Sequence, residues 1–287
     1  MTISGAAKLA GVVGNPIAHS LSPLLHAHWL EAYGIDGAYV PLKVARESFA
    51  FALKGLRLSG FAGLNVTVPH KEAAFAIAER VDDAARAAGA VNLLIFRDGY
   101  IEGRNTDSAG LAASLVEHLG AKALQGKSVA LIGAGGAARA AILALDNLGA
   151  RDIKIVARNP ARAEDLVCAF KAATKASLQS FGFEDWSKAA ANIALLVNTT
   201  SAGMKGNPPL GLSLDPLPRD AAVCDIVYNP LETPLLADAR ERGHKTVDGL
   251  GMLMHQAVPA FEAFYGKEPQ VTPALRQLLE GALHARR

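Results

Sequence analysis

Cysteine is scarce in this chain. Only Cys168 and Cys224 occur in 287 residues, too few for a disulfide-stapled scaffold. Both fall in apolar settings, one helix-like and one strand-like, and read as buried free thiols suited to a reducing cytoplasm. Charge of one sign is equally lacking. The formal net charge is +2 and aromatics make up 6% of residues, with no Lys/Arg cluster interleaved with aromatics, so nucleic acid is not an expected partner. No stretch reaches the roughly 18 uninterrupted apolar residues of a membrane-spanning helix. The segment Met1–Lys8 lacks the basic, apolar and small-residue order of a leader. A cytoplasmic location without a membrane partner is therefore expected. No Cys/His spacing suits zinc. His26 and His28, two apart on a helix, point apart and cannot share an ion from one face. No metal is expected, and no Ser/His/Asp constellation has supporting context.

What is present is the composition of a folded enzyme, 51% apolar and 20% charged, in a chain long enough for two α/β domains. The first part alternates strand and helix. Strands are expected at Leu9–Val13, Gly37–Leu42, Gly63–Val66 and Ala90–Phe96. Helices are expected at Ser22–Tyr33, near Glu47–Leu56, at Lys71–Ala78 and at Asp82–Ala88. A turn at Asp98-Gly99 returns the chain through Tyr100–Glu102. This alternation implies an open, mainly parallel sheet covered by helices. A helix from Asp107 to Leu119 leads into a second alternation with strands at Ser128–Ile132, Ile153–Ala157, Ile193–Asn198 and Ala222–Val227. It has a helix at Pro160–Ala173 and a Gly/Pro-rich loop, Ser201–Pro218. Two last helices, Met252–Phe264 and Thr272–Arg286, follow. The fold class is α/β: an open α/β substrate domain at 1–106 and a Rossmann-type dinucleotide domain at 107–264, a cleft between them, and the helix in 265–287 packing back on the first.

Gly133-Ala134-Gly135-Gly136-Ala137-Ala138 joins the buried strand Ser128–Ile132 to an Ala-rich helix. Such a turn aims free N–H groups at the positive end of a helix dipole, a phosphate site. The spacing Gly133-x-Gly135-x-x-Ala138 fits the dinucleotide form. An NAD enzyme usually carries an acid about 20 residues on. Here the next strand ends in Arg158, with Arg162 following. Guanidinium forks suit a 2′-phosphate, so NADP is the expected cofactor.

Four polar islands interrupt the first domain. In Gly14-Asn-Pro-Ile-Ala-His-Ser-Leu-Ser-Pro23, Ser22 before Pro23 reads as a helix N-cap; Ser20 is not needed for it, and the two hydroxyls could instead hold a carboxylate. In Asn65-Val-Thr-Val-Pro-His-Lys71, Thr67 and Lys71 sit between a strand end and a helix start, where open α/β sheets bind ligands. A lysine in a first helical turn opposes the dipole by about 0.3–1 kcal/mol, and residues that break a local rule mark function. Asn92 just inside its strand and Asn105-Thr106-Asp107 complete the set. A carboxylate at Asp107 could orient a proton-donating Lys71 or serve as a plain cap.

Together these blocks resemble the shikimate dehydrogenase family along nearly the whole chain. They continue with Gly89-Ala-Val-Asn92, Asn198-Thr-Thr-Ser-Ala-Gly-Met204, Asp225-Ile-Val-Tyr-Asn-Pro230 and Gly249-Leu-Gly-Met252 with Gln256. The resemblance implies reversible reduction of 3-dehydroshikimate to shikimate with NADPH, in chorismate and aromatic amino acid biosynthesis. It implies that Lys71 and Asp107 form the catalytic pair and that Ser20 and Ser22 hold the substrate carboxylate. Thr67, Asn92, Asp107 and Gln256 would bond the ring hydroxyls, with Tyr228 at the substrate–cofactor junction. Cofactor contacts are implied at Gly133, Ala134, Gly135, Gly136, Ala137, Arg158, Arg162, Thr199, Ile226, Gly249 and Met252. Three positions depart from the family pattern: Ala157 stands where Asn is common, Leu93 where Thr is, and Ser108 where Gly is. A quinate or aminoshikimate paralogue, one using NAD, and a non-catalytic dinucleotide-binding regulator are the alternatives. The state expected is monomer or homodimer.

Overall fold

The computed structural model describes residues 3–285. Met1, Thr2, Arg286 and Arg287 lie outside the described residues, and with them the start of the leader reading and the expected end of the last helix. The chain divides into two compact units. One comprises residues up to Thr106 together with Gln256–His284; the other spans Asp107–His255.

Unit 1 runs β1 (Lys8–Gly14), α1 (Ser22–Ala32), β2 (Gly37–Lys43), α2 (Phe49–Leu58), β3 (Phe61–Val66), α3 (Lys71–Ile77), β4 (Arg80–Val81), α4 (Asp83–Ala88), β5 (Leu93–Phe96) and β6 (Ile101–Arg104). Its sheet has the order β2-β1-β3-β5-β6-β4. β1 is parallel to β2 and β3, whereas β5 is antiparallel to both β3 and β6. The sheet is therefore mixed, because the Asp98-Gly99 turn (Gly99 φ 87°) is a hairpin and hairpins join antiparallel strands. The interior strand β1 buries its last five residues. Asp82 caps α4 by accepting from Ala85 N at 2.7 Å, and Gly89 ends that helix in the left-handed region.

Unit 2 contains α5 (Asp107–Leu119), β7 (Ser128–Ile132), α6 (Gly136–Asn147), β8 (Asp152–Ala157), α7 (Pro160–Phe170), β9 (Ser177–Gly182), α8 (Trp186–Ala190), β10 (Leu195–Asn198), β11 (Ala222–Asp225), α9 (Pro234–Glu241) and β12 (Thr246–Val247). All its strands are parallel, in the order β12-β11-β10-β7-β8-β9. The sheet starts at β7 and winds outward both ways, which makes the carboxyl end of β7 the topological switch point. β7 is buried at every residue. Four alanines of α6, Ala138, Ala140, Ala141 and Ala144, are fully buried, so the helix backbone lies close to the sheet.

The helix α10 (Gly249–Tyr265) begins in unit 2 and belongs to unit 1 from Gln256 onward. Residues 256–264 therefore pack with unit 1, where the second domain was expected to hold them. The cause is aromatic. Phe261 meets Trp29 of α1 with ring centroids 5.3 Å apart, and Phe264 lies 6.4 Å from Tyr39 of β2. The last helix, α11 (Pro273–Ala285), buries Leu275, Leu279 and Leu283, and Trp29 Nε1 donates to Gln270 O just before it.

Five short elements, β4, β9, α8, α9 and β12, were not expected from sequence. β9 is an edge strand with largely exposed or half-exposed residues, so it lacks the apolar run that marks its neighbours. Cys168 also differs from expectation. α7 buries Ala163, Leu166 and Phe170 at helical spacing, which turns Cys168 to the exposed side. Cys224 is buried in β11, and that burial pushes its thiol pKa upward.

Candidate functional site

Topology alone gathers the polar islands of unit 1 at one sheet edge. The parallel strands β1 and β3 end there. β5 runs the other way and begins there, and β6, antiparallel to β5, ends there with Arg104 opposite Leu93. Asn15 N donates to Val68 O at 3.0 Å, and Thr67 N to Val13 O at 3.0 Å, so the first two islands are bonded backbone to backbone. Gly14 makes this approach possible: a Cβ there would stand 2.4 Å from Thr67 Cγ2. Asn92 joins from the other side. Its carbonyl accepts from Val66 N at 2.8 Å, while Val91 N donates to Lys71 O at 3.0 Å.

Asn92 lies one residue ahead of β5, a correction to its expected place inside the strand. It is almost fully buried, and its side chain is held by Thr106. Thr106 N donates to Asn92 Oδ1 at 2.8 Å, and Asn92 Nδ2 donates to Thr106 Oγ1 at 2.9 Å. Thr106 Oγ1 in turn donates to Gln256 O at 2.9 Å, and Asn92 Nδ2 lies 3.4 Å from Gln256 Oε1. Asn92 and Gln256, distant in sequence, thus share one hydroxyl. Thr106 was not among the expected site residues; its only sequence signal is its place between Asn105 and Asp107. Asn105 is fixed by Nδ2 donating to Ala90 O and by its N–H donating to Asp82 Oδ1.

The first island corrects the reading of its serines. α1 begins at Ser22 itself, with Leu21 in the cap position and no side-chain cap. Ser20 Oγ accepts from Ser22 N at 3.2 Å, so Ser20, not Ser22, satisfies an orphan donor of the helix start. Lys71 is the first residue of α3 and is half-buried; Thr67 is half-buried just before it. Asp107 opens α5 and is buried, as is Ser108.

In unit 2 a cavity of about 320 Å³ opens at the ends of β7 and β8, lined by Ile132, Gly133, Ala134, Gly135, Ala157, Arg158, Asn159, Arg162, Phe183 and Thr200. Gly133 sits at φ 114°, and a Cβ there would come 2.8 Å from Thr199 Oγ1. Gly135 caps α6, and at Gly135 and Gly136 a Cβ would meet nothing within 4 Å. Protein packing does not demand glycine at those two positions. The room they leave suits a group approaching the helix N-terminus closely. Two arginines beside that turn supply positive charge for a further phosphate. The cavity therefore fits a phosphorylated dinucleotide.

Of the expected cofactor residues, Gly133, Ala134, Gly135, Arg158 and Arg162 line this cavity, whereas Gly136, Ala137, Thr199, Ile226, Gly249 and Met252 do not. Thr199 is buried with its hydroxyl donating to Ile132 O at 2.7 Å, and Thr200 faces the cavity in its place. Gly249 lies against the backbone of Ile226, since a Cβ there would fall 2.2 Å from Ile226 O. Tyr228 is half-buried beyond β11. The turn before it is anchored by Asp225, whose carboxylate accepts from Asn198 Nδ2, Val227 N and Thr233 Oγ1. Burial outweighs those bonds and raises its pKa to about 6. Asn159, Phe183 and Thr200 are cavity residues that the sequence motifs missed. Asn159 caps α7, with Oδ1 accepting from Ala161 N at 3.1 Å, a signal readable in Asn159-Pro160. Phe183 follows the unexpected strand β9.

One unit with a parallel sheet and a glycine turn at its switch point, and another with clustered polar side chains, together define a dinucleotide-dependent enzyme of two α/β domains. Family models match the chain twice: a shikimate dehydrogenase substrate-binding domain over residues 12–94, and a shikimate/quinate 5-dehydrogenase model over residues 114–204. The chain belongs to the shikimate dehydrogenase family. It is 53% identical over 277 residues to a shikimate dehydrogenase (NADP(+)) of Methylobacterium radiotolerans, covering 96% of this chain and 97% of that one. Its fold matches the shikimate 5-dehydrogenase of Thermus thermophilus, solved with NADP(H) and shikimate, at TM-score 0.83 and 34% identity over 98% and 100% of the two chains. It also matches a quinate dehydrogenase of Corynebacterium glutamicum, solved with NAD, at TM-score 0.87 and 31% identity over 96% and 99%.

Proposed function

We propose that this protein is an NADP-dependent shikimate dehydrogenase that reversibly reduces 3-dehydroshikimate to shikimate, serving chorismate and aromatic amino acid synthesis. The observation that carries the reading is the cavity in which Arg158 and Arg162 stand beside the Gly133–Gly135 turn. It is supported by the near-full-length similarity to an NADP(+) enzyme. When bound, the nicotinamide supplies a hydride to the carbonyl carbon. As that carbon is reduced, charge develops on the carbonyl oxygen, and Lys71 stabilises it and gives it a proton, completing the new hydroxyl. Lys71 then regains a proton from solvent, and in the oxidative direction it takes the hydroxyl proton. Lys71 and Asp107 are the proposed catalytic pair. Ser20 and Ser22 are assigned to the substrate carboxylate, and Thr67, Asn92, Asp107 and Gln256 to its hydroxyls, with Tyr228 at the substrate–cofactor junction. Gly133–Ala137, Thr199, Ile226, Gly249 and Met252 are assigned to the dinucleotide. A cytoplasmic monomer or homodimer is the proposed state; among the described residues no helix is long and apolar enough to cross a membrane.

One observation favours a second reading, an enzyme of this family using NAD: Ala157 lines the cavity where the family commonly has Asn, which removes a polar contact on the adenosine side. A steady-state assay crossing shikimate and quinate with NADP and NAD separates the two. We expect the highest kcat/KM for shikimate with NADP. Higher kcat/KM for quinate overturns the substrate, higher kcat/KM with NAD overturns the cofactor, and no turnover with any pair leaves a binding protein.

A further inference from the structure

The cavity of unit 2 contains one aromatic lining residue, Phe183. Its position follows from strand register. β8 and β9 are parallel partners, and their last pair is Ala157 with Gly182. Arg158 is the residue after Ala157, and Phe183 the residue after Gly182. The two therefore leave adjacent strands at the same level, about 4.8 Å apart in the direction of pairing. Phe183 opens a one-turn helix, Phe183–Asp185. Half-buried, it packs against the core that contains Val156 and Trp186. A ring held on one side by the core and open to the cavity on the other is a rigid apolar surface.

In a 2′-phosphorylated dinucleotide, the ribose that bears the 2′-phosphate also bears the adenine. If Arg158 takes that phosphate, the base lies within one sugar of it. A residue one strand spacing from Arg158 is then within reach of the base. We infer that Phe183 is the residue against which the adenine of the dinucleotide packs. The inference rests on reading this cavity as the cofactor site. Adenine is common to NADP and NAD, so Phe183 adds affinity for both and discriminates between neither. That task falls to Arg158 and Arg162.

Calorimetric titration with adenosine 2′,5′-bisphosphate and with 5′-AMP tests this without turnover. Wild-type protein is expected to bind the bisphosphate; failure to bind it overturns the cofactor assignment of the cavity and this inference with it. Given wild-type binding, Phe183→Ala should weaken both ligands by a similar factor of about ten or more, the usual loss of a base–aromatic stack. Arg158→Ala should weaken the bisphosphate much more than 5′-AMP. Phe183→Leu keeps the apolar volume but lacks the ring face, so it should melt near the wild-type temperature and still bind weakly. Phe183→Trp should keep the affinity, and its added fluorescence should change when 5′-AMP binds. Wild-type affinity in Phe183→Leu, or loss of binding in Phe183→Trp despite a wild-type melting temperature, overturns the inference.

Discussion

Thr106 holds both ends of the Asn92 amide: its backbone N–H donates to Asn92 Oδ1 at 2.8 Å, and its hydroxyl accepts from Asn92 Nδ2 at 2.9 Å. With the hydroxyl proton given to Gln256 O, one threonine fixes which way Asn92 points and where α10 enters unit 1. Asn92 and Gln256 are both assigned to the substrate's hydroxyls, so loosening them should cost substrate binding. Thr106→Val removes the hydroxyl and with it one hydrogen bond of the buried Asn92 Nδ2, a loss of about 0.5–1.5 kcal/mol. We expect KM for shikimate to rise about tenfold with KM for NADP unchanged. Thr106→Ser should behave as wild type. Equal changes in both KM values would point to general destabilisation instead.

Lys71→Ala tests the proton step directly. Removing a positioned general acid lowers rate by about 10²–10⁴-fold. We expect kcat for shikimate oxidation to fall at least 10²-fold, with KM for NADP nearly unchanged because Lys71 lies in the other unit from the cavity. A kcat within a few-fold of wild type would remove Lys71 from the chemistry.

Arg158→Ala addresses the cofactor. Arg158 is exposed on the cavity rim and has no role in the core, so the variant should fold normally. A guanidinium–phosphate interaction lost in this way should raise KM for NADP by about tenfold or more and leave KM for NAD almost unaltered. A parallel rise for both cofactors would show that Arg158 does not read the 2′-phosphate.

Much of this site was legible in sequence because its parts are local. The glycine turn, the arginines after β8 and the islands at Ser20–Ser22, Thr67–Lys71 and Asn105–Asp107 each lie within a few residues, where spacing reports geometry. What escaped depended on distant contacts. Thr106 matters because β5 and β6 are antiparallel and bring it to Asn92. Phe183 faces the cavity because of a strand too polar to be recognised. Gly14 matters because another loop passes within 2.4 Å of where its Cβ would be. Gly14→Ala should therefore force the β1 and β3 exit loops apart and lower stability by about 1–3 kcal/mol, measurable by denaturant unfolding. An unchanged midpoint would mean that the loops can separate freely.

Two buried groups give the protein opposing responses to pH. His26 is wholly buried, stacked on Tyr39 at 3.8 Å, and its ring nitrogens have no hydrogen-bond partner among the described residues. Burial pushes its pKa down to about 3. The unfolded chain, with His near 6.5, binds a proton that the folded state refuses. Stability is therefore intact above about pH 6.5 and falls as pH drops toward 3, by about 2 kcal/mol at pH 5. Asp225 acts the other way. Its pKa is raised by burial to about 6, so the folded state holds the extra proton. Its contribution is full below about pH 3.9 and lost as pH rises through 6, about 2–3 kcal/mol across the window. His26 lies in unit 1 and Asp225 in unit 2. If the units unfold together, the two slopes largely cancel between about pH 4 and 6; if they unfold separately, the two transitions shift in opposite directions. His26→Phe keeps a ring on Tyr39 and removes the acid-side loss. Its melting temperature should exceed wild type by more at pH 5 than at pH 7. Asp225→Asn should uncover the His26 slope, so that stability falls steadily below pH 6.5. Melting curves of both variants across this range decide the matter: parallel pH profiles for wild type and His26→Phe would remove His26 from the acid limb, since a neutral ring then replaces it at no change in proton uptake.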